Sequence, residues 1–584
     1  MKTNKMAKKT LALVLSLTAL GGTLGVVGCK QPTPDTDQTL EVFIWDAGYG
    51  VSWCEKMLQD FQNESWVKTK YPNLQVVFDS DAASSTGTNK IDAGERANTV
   101  DLFLIGGMGN YIGKNSAGYE MFCDLTKTVY EQKIPGEGNA TVMSKMLPDY
   151  LNSIRYYEVG EFPDPEVVPF KSYVFPWASG MDGILYNEEH LTALGLEVPL
   201  TTNQFVEECE IIKADKSLPY KGIENDDFAI MSEASCGYWD YLYPVWWGQY
   251  EGIDNYYNFF NGLSYTDGLP AMDGGTYRQR GKLHSLVTME KMLKWSNGYV
   301  YKGIGDYGHR DAQIEFIKGM GVFYANGDWF SKETAGDRAE IEMLGDKAYK
   351  IRMMPTPIVS EIVERTPSIV TEGNEEETER RLRAVIRGID KGYANAYSAR
   401  VDDTILDYEL IREVSDEDYD IIKHARGIVH ALGANHNAGV PSYAKGKEVA
   451  FDFLVYMASD KAQETYMRET GGASLPFYYD LKEENETLYN ELFADGKTYR
   501  VAQDRLAMVY DSCYETNVLP WPTSFPLVRW GEMHAVHSVG AGSSVVSYFA
   551  GKTSAADGEQ VWLDDIDYYI TKGNFDVCKG RAGL

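Results

Sequence analysis

Cysteine is scarce in this chain, with seven in 584 residues and never two in a Cys-x-x-Cys spacing. A zinc ribbon or a thioredoxin-type redox motif therefore has no carrier. Cys29 closes an N-terminal leader, while Cys54, Cys123, Cys209, Cys236, Cys513 and Cys578 are scattered. An exported chain can form disulfides, but an even count assigns no pairs, and buried free thiols fit as well. Histidine is also sparse, at eight. Its one suggestive spacing, His534-x-x-His537, has no carboxylate pattern beside it and reads as a surface pair, so no metal is expected. Gly-x-Ser-x-Gly, Ser-x-x-Lys and a Walker loop are all missing, which leaves nucleophilic and phosphate chemistry without residues to perform it. Gly303-x-Gly305-x-x-Gly308 matches a dinucleotide fingerprint in spacing alone. Asp306 inside that loop would face a pyrophosphate, and the preceding Tyr299–Tyr301 is too short and polar for a buried first strand. No cofactor is expected.

Positive charge is in deficit: 55 Lys and Arg stand against 86 Asp and Glu, a formal net charge of −31. The leader holds four of the lysines and no acid, so the chain beyond it is more acidic still. Such a charge repels phosphate backbones and excludes nucleic acid as a partner; its ordinary meaning is solubility. Beyond the leader no apolar run is long enough to span a membrane. The length allows two to four domain-sized cores. Among so many acids no pair is singled out for glycoside hydrolysis, and a surface glycoside hydrolase or other glycan-active lipoprotein stays open as an alternative. A peptide-binding or scaffold lipoprotein is a third reading.

The leader, residues 1–28, has a basic start (Lys2, Lys5, Lys8, Lys9), a short apolar run from Leu11, and Val26-Val27-Gly28 before Cys29. That is the pattern of a secretory signal peptide. Gly21, Gly22 and Gly25 and the shortness of the run argue against a retained membrane helix. Val-Val-Gly-Cys is similar to a bacterial lipobox, with Val26 where Leu is commoner, which implies that Cys29 is lipidated and anchors the chain on the extracytoplasmic face of the cell membrane. Residues 29–39 are polar with two prolines and read as a tether.

What the chain has in abundance is aromatic surface: 40 Tyr, 12 Trp and 22 Phe. Tyr and Trp pair a flat apolar face with a polar tip and gather where ligands bind. From Leu40 the order is strand, helix from about Val51 to Lys70, Tyr71-Pro72-Asn73, strand Leu74–Phe78, and strand Thr99–Ile105. Such units predict a parallel α/β sheet whose ligands lie beyond the carboxyl ends of the strands. That places Trp45, Asp46, Tyr49, Asp79, Ser80, Gly106 and Gly107 at a candidate site edge. Tyr173–Ala178 and Gly183–Asn187 read as strands around a Ser179-Gly180 pivot, and Thr201-x-x-Gln204 as a capping box for the helix that follows. Residues 236–247 are aromatic on several helical faces, which puts core and binding readings of Tyr238 and Trp239 on a par. Asn326-Gly327 at a strand end predicts a turn that exposes Trp329. Residues 359–419 read as an inserted helical region whose charged run Glu372–Arg387 forms a solvated face.

These segments, taken in order, resemble the extracellular solute-binding proteins of bacterial ABC importers, sugar-binding class. The resemblance rests on Pro176-Trp177, Gly183-Ile184-Leu185-Tyr186-Asn187, Leu191-x-x-Leu194-Gly195-Leu196-x-x-Pro199-x-Thr201, Phe316-x-x-Gly319-x-x-x-Phe323-x-x-Asn326-Gly327-x-Trp329, and Met354-Pro355-x-Pro357. It also takes in Asp101–Gly106 and Gly471–Pro476, covers most of Leu40–Pro476, and thins beyond. It implies an α/β, two-lobed periplasmic-binding-protein-like fold with a hinge and a ligand cleft between the lobes. Residues 40–178 plus 430–495 would form the first lobe, and 179–429 plus 496–584 the second, hinged at Ser179-Gly180 and around Ala425–Ala434. It implies no enzyme activity, a monomer, and two partners: a carbohydrate ligand and the membrane subunits of the importer. Trp45, Trp177, Trp239 and Trp329 would stack on sugar faces and Asp46, Asp79 and Asn326 would bond hydroxyls, with Tyr49, Ser80, Gly107, Tyr238 and Asp328 completing the site.

Lipidation is directly testable. Two or three acyl chains hold a protein firmly at roughly 0.8 kcal/mol per buried CH₂. Cys29→Ser is expected to move the protein from the membrane pellet to the soluble fraction. A variant that still pellets and resists high salt would remove the anchor.

Overall fold

The computed structural model describes residues 38–584, except 96–97, 114–118, 165, 216, 219–227, 233–236, 267–268, 301–307, 432–434, 494–499, 511–515, 521–523, 534–537, 540–542 and 551–556. The leader with Cys29, Cys236 and Cys513, the Gly303–Asp306 stretch and the His534/His537 pair lie outside the described residues.

Strand β1 (Thr39–Trp45) is followed by helices α1 (Ser52–Asn63) and α2 (Ser65–Lys70), then β2 (Gln75–Asp81) and β3 (Leu102–Gly106). The single long helix expected from Val51 to Lys70 breaks at Glu64, whose backbone is extended. Trp53, Met57 and Phe61 form the buried stripe of α1. β1 pairs in parallel with both β2 and β3, as the strand–helix–strand order dictates. β4 is only Phe175–Pro176, and β5 (Met181–Asn187) begins a second sheet. That sheet gains β6 (Ala229–Ser232), and after a small β7–β8 hairpin (Ser264–Thr266, Leu269–Ala271) it gains β9 (Gly321–Gly327), β10 (Ile351–Met354) and β11 (Ile428–Ala431). β12 (His436–Gly439) returns to the first sheet, and β13 (Asn517–Pro520) joins the second.

The orders are β2-β1-β3-β12-β4 and β13-β11-β5-β9-β6, with β10 also on β5. Neither sheet is purely parallel. β12 runs antiparallel to β3 and β4, because a chain that returns through a short crossing must reverse direction. β5 is antiparallel to β9, β10 and β11.

Two large cores accompany the two sheets, so the molecule is an α/β protein of two lobes. One core gathers Leu40, Phe43, Trp53, Phe103, Trp177, Phe453 and Tyr466; the other gathers Ile184, Phe205, Trp239, Trp246, Phe323, Ile386, Phe549 and Phe575. The chain passes between them at β4–β5 and at β11–β12. Gly180, in the first passage, holds φ +61, a left-handed conformation that a Cβ would strain. Tyr150 donates to the Ser179 carbonyl at 2.6 Å and the Ser179 amide donates to Ser474 at 2.9 Å, so this passage is bonded to the first lobe on two sides.

Local chemistry explains several element ends. Thr201 caps the helix Thr202–Ala214 by accepting from the Gln204 amide, but the Gln204 side chain accepts from Leu200 rather than closing the box on Thr201. Two helices follow β12, Lys447–Met457 and Asp460–Thr470, the second capped by Ser459. Residues 359–419 pack into the second core through Leu382, Val385, Ile386 and Ile389. The charged face of helix Glu375–Asp390 carries pairs such as Arg383–Glu207 at 2.8 Å and Arg387–Glu197 at 3.0 Å. Arg381 departs from the solvated face: it is 4 % exposed and bonds the Ser368 carbonyl. Among the described residues no helix is long and apolar enough to cross a membrane.

Candidate functional site

Where the carboxyl ends of β1 and β3 face the second lobe there is a cleft of about 1110 Å³. From the first lobe come Trp45, Asp46, Tyr49, Gly106 and Gly107, with Ser84, Ser85 and Thr88 from the helix after β2 and Asn435 and His436 from the return passage. The second lobe supplies Tyr238, Asp240, Tyr241, His309, Arg310, Trp329, Lys332 and Glu333.

Trp45 is the aromatic face of the first lobe. Its indole N–H donates to the Ala82 carbonyl at 3.1 Å, and its ring stacks on His436 with centroids 5.6 Å apart and planes 13° apart. The opposite wall is Tyr238 beside Tyr241, centroids 5.6 Å apart. Tyr241 in turn stacks on His430 at 5.4 Å, and His430 Nδ1 lies 2.7 Å from Oδ2 of buried Asp182. The two aromatic walls thus belong to different lobes and are each backed by an imidazole ring.

The floor joins the lobes. Tyr49, in the turn before α1, donates its hydroxyl to Asp328 Oδ1 at 2.6 Å, and Ser179 Oγ lies 3.3 Å from Asp328 Oδ2. Lys332 Nζ donates to the Glu469 carbonyl at 2.7 Å and to Ser52 at 3.3 Å, both in the first lobe. Between these ties lies Trp329, 6 % exposed, edge-on to Tyr49 and to Tyr238. Its indole fits because residues 48 and 327 are glycines: a Cβ on Gly327 would stand 2.0 Å from the ring, and one on Gly48 2.9 Å.

Of the twelve residues expected at the site, the structure brings Trp45, Asp46, Tyr49, Gly107, Tyr238 and Trp329 together around the cleft. The others stand elsewhere. Trp177 is wholly buried, stacked on Trp53 at 5.7 Å, and so offers no face to a sugar. Trp239 is wholly buried, donating to the Ser232 carbonyl at 2.8 Å. Asn326 lies inside β9 with no exposure, its Oδ1 accepting from the Gly327 amide, so it meets no ligand hydroxyl. Asp79 and Ser80 are exposed on the edge strand β2, short of the cleft, and Asp79 pairs with Lys90 at 3.1 Å. Asp328 lies beneath the lining, bonded to Tyr49. Trp329 is a floor residue packed in the first lobe's core rather than the open platform its Asn-Gly turn suggested.

The sequence reading missed Ser84, Ser85, Thr88, Asp240, Tyr241, His309, Arg310, Lys332, Glu333, Asn435 and His436. Tyr241 sits in the aromatic run and so carried a signal. Lys332 and His309 carried none.

Charge in the cleft is mixed. Burial pushes the Asp240 carboxyl up to about 7, although it accepts from the Val546 amide at 2.7 Å. Burial raises Glu333 as well, opposed by the amide of Gln313, which donates at 2.6 Å. Arg310 is engaged by Asp337 at 2.7 Å. Among the described residues no group of three or more His, Cys, Asp or Glu side chains is placed to hold a metal ion.

The two lobes meet over a cleft lined by aromatic rings, hydroxyls and charged groups. Residues 49–363 match the family described as bacterial extracellular solute-binding proteins, and the chain belongs to that family. No curated protein matches the chain in sequence. Solved structures similar to it include the GacH receptor of Streptomyces glaucescens, determined unliganded and with acarbose, at 14 % identity and a TM-score of 0.48, covering 92 % of this chain and 98 % of that one. The substrate-binding protein Lmo0181 of Listeria monocytogenes, in complex with cycloalternan, is 12 % identical with a TM-score of 0.49, covering 92 % and 99 %. The maltose-maltodextrin binding protein of Alicyclobacillus acidocaldarius is 13 % identical with a TM-score of 0.45, covering 92 % and 100 %.

Asp328 generates a pH prediction. Burial pushes its carboxyl up to about 7 from an ordinary 3.8, against the lowering effect of the Tyr49 hydrogen bond. The folded chain then holds a proton that the unfolded chain releases, so stability falls as pH rises between those values. The contribution is fully present below about 4 and lost by about pH 7, on the order of 4 kcal/mol at most. Asp328→Asn, which keeps an acceptor for Tyr49, is expected to flatten that part of the stability–pH curve in denaturant titrations. An unchanged slope would show that Asp328 stays ionised.

Proposed function

We propose that this protein binds an oligosaccharide in the cleft and delivers it to the membrane subunits of an ABC importer. It would act as a monomer, anchored by lipid on Cys29 at the extracytoplasmic face, with the lobes closing over the ligand by bending at the two crossings. The observation that carries the reading is the pair of aromatic walls, Trp45 on one lobe and Tyr238 with Tyr241 on the other, separated by a hydroxyl-lined gap. A pyranose has an apolar C–H face and an equatorial belt of hydroxyls. Flat rings suit the face, and Ser84, Ser85, Thr88, Asp46 and Asn435 supply short polar groups for the belt. A pocket that takes a drug-sized ligand measures roughly 300–1,000 Å³. A cleft of about 1110 Å³ therefore favours several sugar rings over one.

A glycan array on the leaderless protein identifies the ligand, and calorimetric titration then measures it. If the Trp45 indole covers one pyranose face, it removes on the order of 60–100 Å² from water, about 1.5–2.5 kcal/mol, or about ten- to seventyfold in affinity. Trp45→Ala is expected to weaken binding by that factor with little change in melting temperature, because the indole is half-exposed. Trp329→Ala is expected to do the opposite and cost about 3–5 kcal/mol of stability, as removal of a core tryptophan does. Full affinity in Trp45→Ala would contradict the stacking reading. Cleavage of the bound glycan, abolished by Asp240→Asn, would mark a hydrolase instead.

A further inference from the structure

Trp45 stands on β1, His436 on β12, and β3 runs between them. Two rings on strands that are not neighbours meet only if the strand between leaves room. It does so at one place. Gly106, the last residue of β3, is the register partner of His436, and residue 106 has no side chain. The Trp45 indole passes over that gap: a Cβ on Gly106 would stand 3.0 Å from the ring. Beyond the gap the indole meets the flat face of His436, stacked within 13°. His436 is itself held on its edges, at 4.8 Å by Trp177 and 5.9 Å by Tyr49, both perpendicular to it. Its carbonyl accepts from the Trp177 amide at 3.0 Å, and the neighbouring Asn435 carbonyl accepts from Gly107 at 3.1 Å.

We propose that His436 is the positioning residue of the ligand site, its imidazole backing the Trp45 indole across Gly106 and fixing the ring in the pose that meets a sugar. The effect on affinity rests on the oligosaccharide reading of the cleft, whereas the effect on the ring does not. His436 reaches the cleft lining with little of its surface exposed, and in this scheme it acts through Trp45. The residue also touches both lobe crossings. Trp177 is the first residue of the β4–β5 passage, and His436 opens β12 after the β11–β12 passage.

The test has a ligand-free arm and a ligand arm, both on the folded, leaderless chain labelled with 5-fluorotryptophan. The Trp45 fluorine resonance is assigned by its loss in Trp45→Phe. His436→Leu, which fills the site without a flat ring, is expected to shift or broaden that resonance, and His436→Phe to keep it a single sharp line. Gly106→Ala, which lifts the indole off His436 while leaving His436 in place, is expected to reproduce the His436→Leu spectrum and remains informative if His436→Leu does not fold. With the array ligand, His436→Leu is expected to lower affinity by about three- to tenfold, the worth of one aromatic pair, and His436→Phe to restore it. In a Trp45→Ala background His436→Leu is expected to have no further effect, because a residue that acts through another is non-additive with it. An unmoved fluorine resonance in both His436→Leu and Gly106→Ala overturns the proposal, as does an equal loss of affinity with and without Trp45. If the unsubstituted protein binds no oligosaccharide, the ligand reading falls and the fluorine spectra alone decide the positioning role.

Discussion

Trp329 is attached to one lobe and packed in the other, and the geometry of the cleft depends on that. Its chain leaves the end of β9 in the second sheet, yet its indole belongs to the first lobe's core beside Tyr49. The placement is possible only because Gly48 and Gly327 present no side chain to it. The segment that carries it is tied down on both sides, by Asp328 to Tyr49 and by Lys332 to the carboxyl end of the helix Asp460–Thr470. A lysine there also meets the negative end of the helix dipole. With the floor so fixed, Trp45 and the Tyr238–Tyr241 pair are left as the walls, and the space between them is set by protein contacts.

The same arrangement separates the residues that hold the site from those that can meet a solute. Trp53, Trp177 and Tyr466 form a buried stack beneath Tyr49, and Trp239 and Trp246 do comparable work in the other lobe. Large aromatic side chains are the most effective fillers of a core as well as the most effective stacking surfaces. An aromatic-rich chain uses them for both. The hydroxyls and amides around the cleft bring orientation, and Arg310 and Lys332 keep its lining from being uniformly anionic.

What was legible in the sequence was whatever local pattern and chain direction decide. The parallel pairing of β1 with β2 and β3 followed from strand–helix–strand order, and with it the position of Trp45, Asp46, Tyr49 and Gly107 at the carboxyl ends of the strands. The Ser179-Gly180 passage was legible because two short apolar strands flank a residue able to take positive φ. What was not legible depended on contacts between distant parts of the chain. Pro176-Trp177 marks a strand end, but only the approach of Trp53 decides that the indole is covered. Asn326-Gly327 marks a turn, but the glycine that receives Trp329 is Gly48, almost three hundred residues earlier. His436 was missed because its partner, Trp45, lies two strands away and is reached over Gly106.

The central claim is that a saccharide lies between walls contributed by the two lobes. It is tested most directly by a crystal structure of the leaderless protein with the array-selected oligosaccharide. The account predicts a pyranose ring parallel to the Trp45 indole, with a second contact to Tyr238 or Tyr241 and Trp329 still packed against Gly48. Ligand density away from Trp45, or a ligand held by one lobe alone, would contradict it.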